Sequence, residues 1–186
     1  MSTNGWFEAR DSVLPAAQLP AALLDLAAQR GEAPDRLLAG TRLFYDDLVR
    51  EGRPVASAQL ERMLGNARRL ALGDDFAFRL GHLAWPTAFG SAAAALASAA
   101  DVHAAVRTLV RERALYAPFV HLRAARTREG LWVLCTDGIG WGASWPAIVE
   151  FLFGAFVATL RGLAARRPQW TFLFEYGAPA RPEQYH

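Results

Sequence analysis

The sequence predicts an α+β fold: a helical N-terminal half followed by a small antiparallel sheet packed against a long helix. Three observations support this prediction. Apolar residues recur at helical spacing through the first 117 residues. The pattern of residues 118–137 predicts two strands joined by a turn, and residues 145–167 form one long apolar run. Helices that precede a hairpin and its covering helix are typical of an α+β domain.

Residues 1–19 are predicted to be a leader segment, and residues 20–186 a single domain. The stretch LPAALLDLAAQRG predicts a helix, because Pro20 suits a first-turn position and Gly31 can end it. A short helix follows in APDRLLAGT and ends at Gly40, and RLFYDDLVREG predicts a turn or a further short helix.

The clearest helix lies in VASAQLERMLGNARRLALGDD, with Ser57 as the predicted N-cap and Gly73 as its end. Asp74 or Asp75 is expected to cap the next helix, DFAFRLGHL. An alanine-rich helix spans residues 91–98, and Asp101 is expected to cap the helix after it.

The remaining elements are strands and one helix. PFVHLRAART and LWVLCTD predict an antiparallel hairpin, joined at the turn signal Arg-Glu-Gly. WPAIVEFLFGAFVATLRGLAARR predicts a long, largely buried helix, and WTFLFEY predicts a third strand.

Composition excludes several classes of protein. The net charge is +2 and the basic residues, all arginine, form no concentrated stripe, so direct binding of nucleic acid is not expected. A single cysteine and the absence of a signal-peptide pattern predict a soluble, cytoplasmic protein. The apolar run 145–160 is interrupted by Glu150 and is predicted to be too short to span a membrane.

The chain carries no pattern that predicts catalysis, a cofactor or a metal. Residues 138–143, GIGWGA, match the dinucleotide pattern G-x-G-x-x-G/A, but the acidic residue that should follow about twenty positions later is lacking. The four histidines show no metal-ligand spacing, and there is no G-x-S-x-G elbow. We therefore expect no enzyme.

Four stretches, in order, resemble the N-terminal effector-binding (arabinose-binding-type) domain of AraC-type transcription regulators. RLLAGTRLFYDDL resembles the family's L-x-G-T-x-L. The other three are SAQLERMLGNARRLALGDDFAFRLG, FGSAAAALASAADVHAAVRTLVR and PQWTFLFEYGAPARPEQYH. The resemblance covers roughly residues 20–186. Arg42 departs from it, because a second glycine is common there, and this is expected to alter the turn.

The resemblance implies a small-molecule effector, a homodimer, and contact with DNA only through a C-terminal helix-turn-helix domain absent from this sequence. The effector is left open among sugars, amino acids, fatty acids and aromatic compounds. A stand-alone small-molecule-binding protein is the alternative, and an enzyme the third reading. Aromatic and polar groups near the hairpin and the long helix are the candidate ligand-binding residues: His82, Trp85, His103, Tyr116, Trp141 and Trp145.

Overall fold

The computed structural model describes residues 8–73, 75–84, 90–163 and 171–177. It confirms the α+β class. The helices are α1 (Leu19–Gln29), α2 (Pro34–Leu38), α3 (Tyr45–Val49), α4 (Ser57–Arg69), α5 (Phe76–Leu83), α6 (Ala92–Ala97), α7 (Val102–Arg111), α8 (Arg113–Tyr116) and α9 (Trp145–Leu163), with a 3-10 turn at Gly142–Ser144. The strands are β1 (Ser12–Leu14), β2 (Val55–Ala56), β3 (Val120–Arg126) and β4 (Leu131–Asp137).

The first sheet was not predicted. β1 pairs with β2 in antiparallel fashion, which ties the start of the chain to the residues just before α4. Leu14 and Leu19 are both buried in the main core. Strands of two or three residues are too short to show an alternating pattern, so no periodicity indicates this sheet. The division at residue 20 stays a prediction.

The turn after α2 is held by the hydroxyl of Thr41. Its Oγ1 donates to the carbonyl of Leu38 at 2.7 Å and accepts from the amide of Leu43 at 3.1 Å. Gly40 has φ 75° and Arg42 has φ 61°, both in the left-handed region. Arg42 therefore takes the backbone conformation that glycine favours, and its exposed side chain is carried outward from the turn.

The buried amide of Asn66 joins α4 to the end of α2. Its Nδ2 donates to the carbonyls of Leu37 at 2.7 Å and Ala39 at 2.9 Å, and its Oδ1 accepts from the guanidinium of Arg69. The last carbonyls of a helix have no partner within the helix. Asn66 supplies that partner for α2, so its role is structural.

Helix α4 begins at Ser57, one residue earlier than a cap at Ser57 predicts. Ser57 is its first helical residue and Ala56 is the N-cap. The side chain of Gln59 does the capping: its Oε1 accepts from the amide of Ala56 at 2.9 Å, and its Nε2 donates to the carbonyl of Thr41 at 3.0 Å. The predicted N-cap at Ser57 is wrong because Gln59 reaches back to satisfy the preceding amide.

The other predicted caps differ in outcome. Asp101 caps α7, as predicted: its Oδ1 accepts from the amide of Ala104 at 2.7 Å. Asp75 occupies the N-cap position of α5 without a capping hydrogen bond from its side chain. Asp74 lies outside the described residues.

Helices α5 and α9 cross at a contact between two glycines. A Cβ added to Gly81 would lie 2.7 Å from the amide nitrogen of Ala155, and a Cβ added to Gly154 would lie 2.8 Å from the carbonyl oxygen of Phe78. Both clashes are with backbone atoms, which have little freedom to move away. The two helices can pack this closely only because neither position carries a side chain.

The predicted hairpin is confirmed. β3 and β4 pair through seven residues in regular antiparallel register, with Leu122 opposite Cys135 and Ala124 opposite Val133 on the inner face. The outer face carries Trp132, 48 % exposed, and Leu134, 54 % exposed. The hairpin thus has one half-buried face that packs onto the body and one face open to solvent.

The predicted third strand is wrong. Within residues 171–177, exposure alternates as a strand would: Phe172, Phe174 and Tyr176 are half-buried, and their neighbours are exposed. The segment nevertheless joins no sheet among the described residues. Its alternation reflects packing of aromatic rings onto helices α5 and α9, and a periodicity of two cannot distinguish that from strand pairing.

Residues Gly142–Arg161 are long and apolar enough to cross a membrane, contrary to the expectation that the run is too short. However, 72 % of this stretch is buried within the described structure, and the core helix of a soluble protein meets the same criterion. We therefore interpret α9 as the central helix of the core.

The glycine contact gives a direct test of the packing. We expect Gly81→Ala and Gly154→Ala each to lower the free energy of unfolding by about 1–3 kcal/mol, because the added methyl overpacks a rigid contact. The control is Gly65→Ala in α4, where the nearest atom to the new Cβ is a guanidinium nitrogen of Arg69 at 3.9 Å.

The control should raise the free energy of unfolding by about 0.5–1 kcal/mol, since alanine is the better helix former. Urea denaturation followed by circular dichroism measures all three variants. An equal, stabilising effect at all three positions would show that α5 and α9 do not pack in this way.

Candidate functional site

A small apolar cavity lies where α7, the β3–β4 hairpin and α9 meet. Its volume is about 20 Å³, close to the space that one water molecule needs. The described residues that line it come from five elements and are nearly all aliphatic or aromatic: Val106, Leu109, Val110, Tyr116, Leu122, Val133, Leu152, Phe153 and Phe156.

Tyr116 supplies the one polar side-chain group among these described lining residues. Its side chain is buried, and its hydroxyl donates to the carbonyl of Leu109 at 2.7 Å. Burial raises the pKa of Tyr116 above its usual value, and the neighbouring Cys135 raises this pKa further. The phenol therefore stays protonated and continues to donate its hydrogen bond to the carbonyl of Leu109.

Cys135 lies on the inner face of β4, opposite Leu122. Burial raises the pKa of its thiol to about 12, and the carboxylate of Asp137 contributes to the same shift. The nucleophilic form of cysteine is the thiolate. At neutral pH this thiol is thus an apolar side chain of the core and is unsuited to nucleophilic catalysis.

Asp137 at the end of β4 organises the glycine-rich loop. Its carboxylate accepts three backbone amides, those of Ile139 at 2.9 Å, Gly140 at 2.8 Å and Trp141 at 2.7 Å. The amide of Gly138 donates to the carbonyl of Phe119 at 3.2 Å. A phosphate-binding loop needs free amides. Here these four are occupied, which argues against a nucleotide at the G-x-G-x-x-G/A match.

Trp141, within this loop, is buried and packs edge-on against Phe119, with ring centroids 5.1 Å apart and planes at 81°. Its Nε1 is buried and has no hydrogen-bond partner among the described atoms. Trp141 does not line the cavity. Its ring fixes the loop against the base of the hairpin.

A cluster of aromatic rings lies beyond α9 and shares one residue with the cavity wall. Phe153 lines the cavity and also contacts Phe172 and Phe174, with centroid distances of 5.5 Å and 6.2 Å. Phe172 also contacts Phe78 of α5 edge-on at 6.4 Å. The hydroxyl of Tyr176 donates to the buried carboxylate of Glu150 at 3.3 Å.

A second, wider cleft of about 360 Å³ lies over α5. Its described lining belongs to this helix and its N-cap residue and includes polar groups: Asp75, Phe78, Arg79, His82 and Leu83. The cavity under the hairpin differs from it in being walled by several elements and in being apolar. An apolar cavity with few polar groups is the usual form of a small-molecule site, so we take the cavity as the candidate site.

Comparison with protein families decides the identity of this fold. Residues 31–186 match the model described as the arabinose-binding domain of AraC transcription regulator, N-term. This chain belongs to that family. As a member of the AraC arabinose-binding-type family, it is an effector-binding domain that acts in transcription regulation. No curated protein and no solved structure matches the chain.

The structure places the residues expected to bind ligand in this AraC-type domain at separate locations. Tyr116 lines the cavity, and His82 lines the α5 cleft, with its Nδ1 3.0 Å from the carbonyl oxygen of Phe78. The other described members are the half-buried His103 on α7, the core residue Trp141 and Trp145 at the start of α9. Trp85 lies outside the described residues. A ligand role for all six stays a prediction.

Most of the cavity wall was missed because it is apolar. Val106, Leu109 and Val110 on α7 recur at the spacing of a helix face that packs into a core. Phe153 and Phe156 lie within the apolar run of residues 145–167, which predicts a buried helix and does not single them out. The same apolar periodicity describes a filled core and a cavity lining, so periodicity alone could not separate them. Within the described parts of the chain, no group of acidic, histidine and cysteine residues could hold a metal ion.

The role of Asp137 can be tested by substitution. We expect Asp137→Ala to lower the free energy of unfolding by about 1–2 kcal/mol, because three amides lose a charged acceptor and must turn to water. Asp137→Asn retains an acceptor oxygen and should lose about half as much. Urea titration measures both. Equal stability of wild type and Asp137→Ala would show that the carboxylate does not hold the loop.

Proposed function

We propose that this domain binds its effector in the cavity between α7, the hairpin and α9, forms a homodimer, and thereby controls a DNA-binding domain that lies outside this sequence. The observation that carries the proposal is the apolar cavity in a domain of an effector-binding family. The cavity is bounded by elements far apart in the chain, so occupancy can alter their relative positions.

Dimerisation and control of a separate DNA-binding domain are part of the proposal because the family regulates transcription. The net charge of +2 is also too small and too dispersed for this domain to hold DNA by itself. We place the protein in the bacterial cytoplasm, where its one cysteine stays reduced.

A ligand can act as a regulator only if it binds two states of the domain with different affinity. We propose that the position of the hairpin differs between these two states. Its inner face is half-buried against α7 and α9, while its tip and outer face are exposed to solvent. An occupied cavity would favour a hairpin that lies further from α9 than it does here.

Dimerisation and output can be measured together. We expect sedimentation equilibrium to show a dimer at about 100 µM protein, because association follows mass action. Fused to a DNA-binding domain that recognises its operator only as a dimer, this domain should repress a reporter gene.

The same fusion carrying Gly154→Ala serves as a control with weakened packing of α9, and should repress less. A stand-alone binding protein, the alternative function, predicts a monomer and no repression. That result would overturn the regulatory part of the proposal even if small molecules bind.

A further inference from the structure

We infer that the effector of this cavity is an uncharged, largely apolar molecule and not a sugar, despite the sugar in the family's description. This inference rests on the proposed function, because it concerns the same site. It deepens that proposal by choosing among the chemical classes that the sequence left open.

No side chain among the described lining residues offers a sugar a free hydrogen-bond donor. Tyr116 is the one described lining residue with a polar side chain, and its hydroxyl hydrogen is already committed to the carbonyl of Leu109. A pentose carries several hydroxyl groups that all need partners when water is removed. Each hydroxyl buried without a partner weakens binding by roughly tenfold to a hundredfold.

An apolar ligand meets the opposite situation. Each methylene group that moves from water into such a cavity strengthens binding by roughly fourfold. The rings of Phe153 and Phe156, together with aliphatic side chains from α7 and both strands, provide surfaces for it. Charged ligands are disfavoured as well, since no described lining residue carries an opposite charge.

The cavity must expand to accept such a ligand. Its volume is about 20 Å³, whereas an apolar cavity that binds benzene measures roughly 150 Å³. The hairpin is the wall best suited to move, because Leu122 and Val133 line the cavity while residues 123–130 are exposed. We therefore expect entry of the ligand to displace the hairpin from α9.

The α5 cleft is the competing site for a sugar. It combines the ring of Phe78 with the polar side chains of Asp75, Arg79 and His82. If arabinose binds there, the domain is still an effector-binding domain, but its effector is polar and the inference of an apolar effector is wrong. The experiment therefore compares one apolar probe with arabinose, and uses a variant in each site.

The probes are toluene and L-arabinose, and the measurements are thermal unfolding and titration calorimetry in sealed cells. Toluene should raise the midpoint of unfolding, and arabinose at the same concentration should not. Val110→Phe fills the cavity and should weaken toluene binding by about tenfold or more. Val49→Phe, the same change at a residue 51 % exposed, should leave binding unaltered.

A second variant tests the same cavity in case Val110→Phe does not fold. Val133→Thr keeps the side-chain shape but places a hydroxyl in the cavity wall, and should weaken toluene binding by roughly fivefold. Toluene binding that survives both cavity variants, or no toluene binding at all, overturns the inference. So does stabilisation by arabinose that Arg79→Ala abolishes. In each case the dimer and reporter assays judge the regulatory function separately.

We infer further that Phe153 couples the cavity to the segment after α9. This second inference has its own evidence, which is the set of ring contacts. Phe153 lines the cavity and also contacts Phe172 at 5.5 Å and Phe174 at 6.2 Å. Phe174 in turn contacts Tyr176 at 4.9 Å, and Tyr176 donates to Glu150.

A ligand that enlarges the cavity presses on Phe153, and tightly packed rings transmit such displacement instead of absorbing it. Residues 171–177 join no sheet among the described residues, so these ring contacts contribute to holding the segment against α9. A shift of Phe153 should therefore change how firmly the segment is held.

Amide hydrogen exchange of residues 171–177, with and without toluene, tests this coupling. We expect toluene to change the exchange rate of the segment by about threefold or more in the wild type. Phe153→Leu should still bind toluene but lose this change. The control, Leu152→Val, alters the same cavity wall from the same helix and should retain it. An exchange response that persists in Phe153→Leu, or its absence in toluene-bound wild type, would overturn the coupling.

Discussion

The backbone contact between Gly81 and Gly154 is the constraint on which the rest of the structure depends. It brings α5 and α9 together without intervening side chains, and so fixes the position of α9 in the core. The remaining faces of α9 are then directed toward the hairpin on one side and the aromatic segment 171–177 on the other. The cavity exists because the same helix that is held rigidly by α5 meets a hairpin with a half-buried inner face.

The polar and glycine positions of the family pattern prove to be structural. Thr41 and Gly40 shape the turn after α2, while Asn66 and Gln59 bind that turn and the end of α2 to α4. None of these residues lines the cavity. These residues thus form a scaffold, and under the proposed function the choice of ligand rests with the apolar side chains of the cavity.

The class of the fold, the main helices, the hairpin and the cap at Asp101 could all be predicted from the sequence. Each of these features produces either an apolar periodicity or a local side-chain hydrogen bond that the sequence reveals. The β1–β2 pair escaped notice because it is too short to be periodic. The prediction of a strand around Phe172 was wrong, because alternation of apolar residues shows which side of a segment is buried and does not show whether a strand or a helix packs on that side. The cavity could not be predicted for a related reason: whether Leu109 and Val133 touch each other or enclose space depends on sub-ångström geometry that no spacing records.

The left-handed backbone at Arg42 has a consequence for how this domain can diversify. The shape of the turn is imposed by the hydroxyl of Thr41, which bridges residues on both sides, and Arg42 adopts φ 61° within it. An L-residue in that conformation costs about 1–2 kcal/mol, and the fold tolerates the cost. Because the side chain of Arg42 is exposed, substitutions at position 42 that tolerate this backbone conformation can alter the charge of the surface while the turn keeps its shape.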